Sequence, residues 1–186
     1  MGVDLRIGVC NSHQVPPTSF RPLDTEVDWG LFDPAFQVHQ GLRAQIQALT
    51  AAASAELWDT HVSASPGERH PALLPLTHWL KPAQQGPNWV PEFNSGAAVR
   101  GVVSATGEGD VSWFLRQAFE LATDEPTYFI AMREQSYSLP FGVFVICWRC
   151  FLAVDDEGPF LFHARSGAFA SFGPNGTLSF GRRIST

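Results

Sequence analysis

Phe141-Gly142-Val143-Phe144-Val145-Ile146-Cys147-Trp148-Arg149-Cys150-Phe151-Leu152-Ala153-Val154 is a run of apolar, largely β-branched and aromatic residues, and it stops at Asp155-Asp156-Glu157-Gly158-Pro159, a cluster that favours turns. The composition predicts a long strand over residues 141–154. Both parities are apolar, with Phe144, Ile146, Trp148, Leu152 and Val154 on one side and Val143, Val145, Cys147 and Phe151 on the other. A strand of that kind is covered on both faces, so it belongs at the centre of a sheet. Shorter apolar segments follow at residues 160–164, 168–172 and 177–180, with Ser166-Gly167 offering a tight two-residue turn and Gly173-Pro174-Asn175-Gly176 a second turn. Together these predict a C-terminal meander of about four antiparallel strands.

Working outward, residues 127–132 read as the strand that enters the meander, and residues 133–140 as a loop, because Ser136, Ser138 and Pro140 interrupt them. Val111, Phe114, Leu115, Ala118, Phe119 and Ala122 keep helical spacing behind Asp110 as a cap, and Val99, Val102 and Val103 mark a strand over residues 97–104. Near the start, Val3, Leu5, Ile7 and Val9 alternate with Asp4, Arg6 and Gly8, the period of a half-buried strand. Asp33-Pro34 can open a helix, and Val38, Leu42, Ile46, Leu49, Ala53 and Leu57 extend it over about six turns.

Residues 59–96 differ. Six prolines, at positions 66, 71, 75, 82, 87 and 91, exclude long regular structure, yet Leu73, Leu74, Leu76, Trp79, Leu80, Trp89 and Phe93 carry too much apolar surface for a linker. The segment should drape over the domain. The resulting expectation is a single α+β domain over residues 1–186, mostly antiparallel sheet with a C-terminal β-meander, two helices packed on one face, and the Pro-rich excursion at about 59–96 on the other.

Composition narrows the function classes. The chain has 186 residues, 12 Lys plus Arg against 18 Asp plus Glu, and a formal net charge of −6. There is no basic stripe to neutralise a phosphate backbone, so nucleic acid is not an expected partner. No apolar run is long enough to span a membrane, Asp4 and Arg6 interrupt any leader-like segment, and Arg6 stands where a myristoylation signal prefers Ser or Thr. Three cysteines fit a reducing compartment, and a cytoplasmic location follows as the expectation.

Candidate chemistry is sparse. Cys147-Trp148-Arg149-Cys150 has C-x-x-C spacing, but on a strand the two side chains would point to opposite faces. Zinc would need Cys10 and a histidine besides, and neither a second C-x-x-C nor a paired His is present, so no metal and no cofactor are expected. Cys10 and His13 follow the first predicted strand as a weak nucleophile pair. Asp24, Glu26 and Asp28 alternate like the start of a calcium loop, but Gly30 and Ala35 stand at the wrong positions for an EF-hand. Phosphate cradles and the nucleophile elbow are absent as motifs.

Two functional readings follow. The first is a non-enzymatic protein-binding domain whose acidic groups, Asp24, Glu26 and Asp28 with Asp155, Asp156 and Glu157, meet a basic partner. Small size, acidity and no catalytic signature form the general profile of bacterial immunity and inhibitor proteins that neutralise a toxin or enzyme, though no motif carries that likeness. The second is a small enzyme or ligand-binding domain in which Arg149, His163 and Arg165, with Glu134 and Tyr137 nearby in sequence, line an anion pocket.

Overall fold

The computed structural model describes residues 19–81, 97–104, 108–155, 157–173 and 177–183. Within them the strands are β1 (Phe20–Arg21), β2 (Gln47–Leu49), β3 (Ala97–Ser104), β4 (Pro126–Met132), β5 (Gln135–Pro140), β6 (Phe160–His163), β7 (Ala168–Gly173) and β8 (Thr177–Arg183). They form one sheet in the order β1-β2-β5-β4-β6-β7-β8-β3, antiparallel at every pairing. The α-helices are α1 (Gln40–Arg43), α2 (Ala51–His61), α3 (Glu108–Phe119) and α4 (Phe141–Leu152). The fold is α+β, and β6, β7 and β8 are the C-terminal meander.

Side-chain alternation divides the core in two. Phe129 and Ala131 of β4, Leu161 of β6, and Ala168, Ala170 and Phe172 of β7 face α3 and α4. Ile130, Phe160, Phe162 and Phe169 point the other way, against Trp58 and Val62 at the end of α2 and against Leu74, Trp79 and Leu80 of the Pro-rich segment. Two helices therefore share one face, and the described part of the Pro-rich segment covers the other. On the α4 side, the Phe129, Tyr137, Phe144 and Phe151 rings pack with centroids 5.0 to 6.3 Å apart. Such pairs add about 0.5–1.5 kcal/mol each beyond area burial.

Residues 141–152 are a helix, not the expected strand. An all-round apolar segment is ambiguous between a buried strand and a buried helix, and here a length of 12 residues is the arbiter. The helix kinks at Cys147, whose φ of −119° and ψ of 21° leave the helical region. Side chains occupy the carbonyls around that kink: Cys147 Sγ donates to Val143 O at 2.9 Å, Ser112 Oγ to Val145 O at 3.0 Å and Cys150 Sγ to Cys147 O at 2.8 Å. Cys147 and Cys150 thus lie one turn apart on a helix and are both buried, rather than on opposite faces of a strand.

Four other expectations change. The helix read from Asp33 to Leu57 is divided into a 3-10 turn at Pro34–Phe36, then α1, β2 and α2. Each of the three helical pieces has its own cap: Asp33 accepts from Ala35 N, His39 from Leu42 N and Thr50 from Ala53 N. Residues 135–140 are β5 instead of a loop, because Tyr137 and Leu139 alternate inward and the strand bridges β4 and β2. The β6–β7 connection spans residues 164–167 between the His163 and Ala168 pair, so it is longer than the two-residue turn, with Gly167 at φ 69°. Asp110 lies inside α3. The strand expected at residues 3–9, Cys10, His13, and residues 82–96 lie outside the described residues.

Candidate functional site

Asp28 anchors the segment that follows β1. Its side chain has no exposed surface, and four donors converge on its carboxylate: Arg21 Nη1 and Nη2 at 2.7 Å each, Tyr137 Oη at 2.6 Å and the Asp24 N–H at 2.7 Å. Burial alone would raise the carboxyl's pKa, but these donors outweigh it and hold the group below the ordinary carboxylate value. The Tyr137 hydroxyl is pushed up, by burial first and by the adjacent carboxylate second. Asp28 is therefore an internal hub and not a surface group.

The hub fixes what surrounds it. Asp24 Oδ1 accepts the Glu26 and Val27 N–H groups at 2.8 and 2.9 Å, closing a turn that leaves Asp24 and Glu26 in solvent. Two large apolar side chains are exposed on the same segment, Val27 at 51% and Trp29 at 45%. Gly30 seats the segment on α4: a Cβ there would lie 2.3 Å from the Cys150 carbonyl oxygen and 3.1 Å from the Ala153 Cβ. Asp155 and Glu157 lie two and four residues after Ala153, beyond the C-terminal end of α4 on which Gly30 is seated. Glu157 is exposed, while Asp155 is turned toward His70 Nε2 at 3.0 Å. Asp156 lies outside the described residues.

Of the three residues expected to line an anion pocket, the structure gathers two. His163 Nε2 lies 3.3 Å from Glu125 Oε1, and Arg165 bonds the same oxygen. Arg149 is elsewhere, on α4, with its guanidinium over the Phe36 ring at 6.0 Å. Tyr137 belongs to the Asp28 hub, and Glu134 to a surface network with Arg69 at 2.6 Å and Arg133 at 3.4 Å, where Arg133 also holds Asp59 at 2.8 Å. Several histidines have structural roles: Nδ1 of His39, His70 and His78 accepts a backbone N–H two or three residues ahead. Among the described residues no group of three or more His, Cys, Asp or Glu is placed to hold a metal ion, and no helix is long and apolar enough to cross a membrane.

Sequence reasoning missed Glu125 and Ser166. Glu125, 38 positions before His163, enters no candidate site in the sequence reading, and Ser166 reads only as a turn former. The one usable signal was local, since a Ser three residues after a His at a hairpin end comes back beside it.

Comparison with curated proteins and with solved structures gives no match. A family profile does match, over residues 22–181, an extent that includes Asp28 and Tyr137 but not Arg21 of the hub, both acidic segments and the β6–β7 turn. The chain belongs to a family of proteins of unknown function (DUF2947).

Proposed function

We propose that the domain is a protein-binding module whose docking surface is the segment from Asp24 to Trp29, flanked by Glu157 at the end of α4, and whose partner presents basic residues around an apolar pocket. The observation that supports this most is the pairing of exposed charge and exposed aromatic surface on a segment held from beneath by a buried carboxylate. Trp is enriched among residues that carry binding energy, and acidic groups around it steer and select a cationic partner. A turn already fixed by Asp24 and Asp28 loses little conformational entropy on binding. Neutralising a basic toxin or enzyme, as immunity and inhibitor proteins do, is the specific form this reading takes.

Native mass spectrometry of the tagged protein, purified at low salt from its own cells, tests it. A stoichiometric second polypeptide with an isoelectric point above neutrality is expected. Its affinity should fall as salt rises, about tenfold or more with Trp29→Ala, and further with Asp24→Lys plus Glu26→Lys. A complex indifferent to both variants, or an acidic partner, would overturn the assignment.

A further inference from the structure

The turn between β6 and β7 holds a second constellation, separate from the docking surface. Ser166 Oγ accepts the Ala168 N–H at 3.2 Å, which leaves its own O–H to donate to His163 Nδ1 at 2.7 Å. With Nδ1 accepting, the ring proton is on Nε2, and that edge faces Glu125 Oε1 at 3.3 Å. A hydroxyl that donates to an imidazole, whose other N–H faces a carboxylate, is the arrangement that activates serine as a nucleophile.

We infer that Ser166, His163 and Glu125 act as nucleophile, general base and positioning carboxylate, able to accept an acyl group from a small carboxylic ester. The imidazole is 3% exposed and so is held in one orientation. Ser166 is only partly buried and Arg165 is exposed, so the turn that carries the hydroxyl lies at the surface and not in the core. The charged groups facing His163 are Glu125, Arg165 of the turn and Arg182 of β8, which lies in the cross-strand row His163, Ala168, Arg182. Burial, partly offset by Glu125, keeps the imidazole pKa below its ordinary value, so it is neutral and basic at pH 7. The Gly167 and Ala168 N–H groups are spent on His163 O and Ser166 Oγ. Arg165 is bonded to Glu125, so stabilisation of the developing oxyanion falls to Arg182, the other cation that faces His163.

The chemistry closes without a further reagent. Ser166 Oγ bonds to the ester carbonyl carbon as its proton passes to His163 Nδ1. The tetrahedral adduct then breaks its bond to the leaving alkoxide, which takes that proton. Water repeats both steps, releasing the carboxylic acid and restoring the serine.

The test treats the full-length protein with a fluorophosphonate probe and, separately, with p-nitrophenyl acetate. One adduct on Ser166 is expected, formed with loss of fluoride and absent in Ser166→Ala, together with a burst of p-nitrophenolate approaching one equivalent. Glu125→Gln, which keeps the side-chain shape, should slow acylation about tenfold or more. It should also move the acid limb of its pH profile downward, because the imidazolium loses its counter-ion; a purely structural carboxylate would leave that limb in place. Ser166→Ala removes one hydroxyl from a surface turn and leaves the core untouched. No adduct on Ser166, or an equal burst in Ser166→Ala, would reduce the cluster to turn-stabilising hydrogen bonds.

Discussion

At the scale of single residues, Asp28 decides whether the docking segment keeps its shape. Its carboxylate satisfies both guanidinium donors of Arg21, the Tyr137 hydroxyl and the Asp24 N–H within 2.6 to 2.7 Å. Asp28→Asn retains the volume but removes the charge and turns an acceptor into a donor facing a donor. The Arg21 side chain is 27% exposed and can recover some water, so the loss falls short of that for a fully buried pair. We expect about 2–4 kcal/mol. Tyr137→Phe deletes one donor and should cost about 1–2 kcal/mol. Because both changes break the same network, the double variant should lose less than the sum. Urea denaturation of the three variants checks this; an Asp28→Asn midpoint within error of wild type would mean that the hub contributes nothing.

At the scale of elements, α4 separates two readings of one sequence. As a strand, residues 144 and 146 share a face and would be buried together; as a helix they lie about 200° apart. Phe144 has no exposed surface, whereas Ile146 is 65% exposed and its neighbour Val145 only 1%. Ile146→Asp should therefore change stability by less than about 0.5 kcal/mol. Val145→Asp should unfold the domain or cost several kcal/mol, since it buries a carboxylate in the apolar core. Thermal melts of the two variants distinguish the readings, and equal destabilisation would restore the strand. The contrast shows what was legible. Turn residues at 155–159 and the alternation in β6 to β8 specify the meander through local chemistry, and α3 announces itself by spacing. The segment 141–152 hid its period because exposed or partly exposed positions such as Ile146, Trp148 and Leu152 are as apolar as the buried ones, and β5 hid behind two serines that alternate with its inward Tyr137 and Leu139. Of the candidate sites, the acidic segments were visible as charge. The Asp28 hub and the Glu125–His163–Ser166 cluster join residues 109 and 38 positions apart, which no local pattern encodes.

At the scale of the whole molecule, pH reports on groups that the fold keeps neutral. His78 Nε2 bonds the Val62 carbonyl at 2.9 Å and its Nδ1 accepts the Leu80 N–H at 3.2 Å. His163 Nδ1 accepts from Ser166. Protonation would place a second N–H on each ring against an existing donor. Burial is the main cause that lowers both pKa values below the ordinary 6.5. A histidine depressed in the folded state takes its proton more readily in the unfolded chain. Stability is therefore undiminished above pH 6.5 and falls as pH drops from there toward the folded values. A second loss comes below the ordinary carboxylate value of 3.8, where Asp28 and Asp59, both depressed by their arginine partners, give up those bonds. Net charge works in the opposite sense, since acidification toward the isoelectric point near 5.4 relieves negative self-repulsion and by itself favours the compact state. A falling urea midpoint between pH 7 and 5 must therefore come from the buried histidines. The expected curve is flat from pH 9 to 7 and declines below about 6.5, with a shallower decline in His78→Gln, whose amide can still donate to Val62 O. A midpoint that rises toward pH 5.4 would show that charge relief dominates and that neither imidazole is held neutral by the fold.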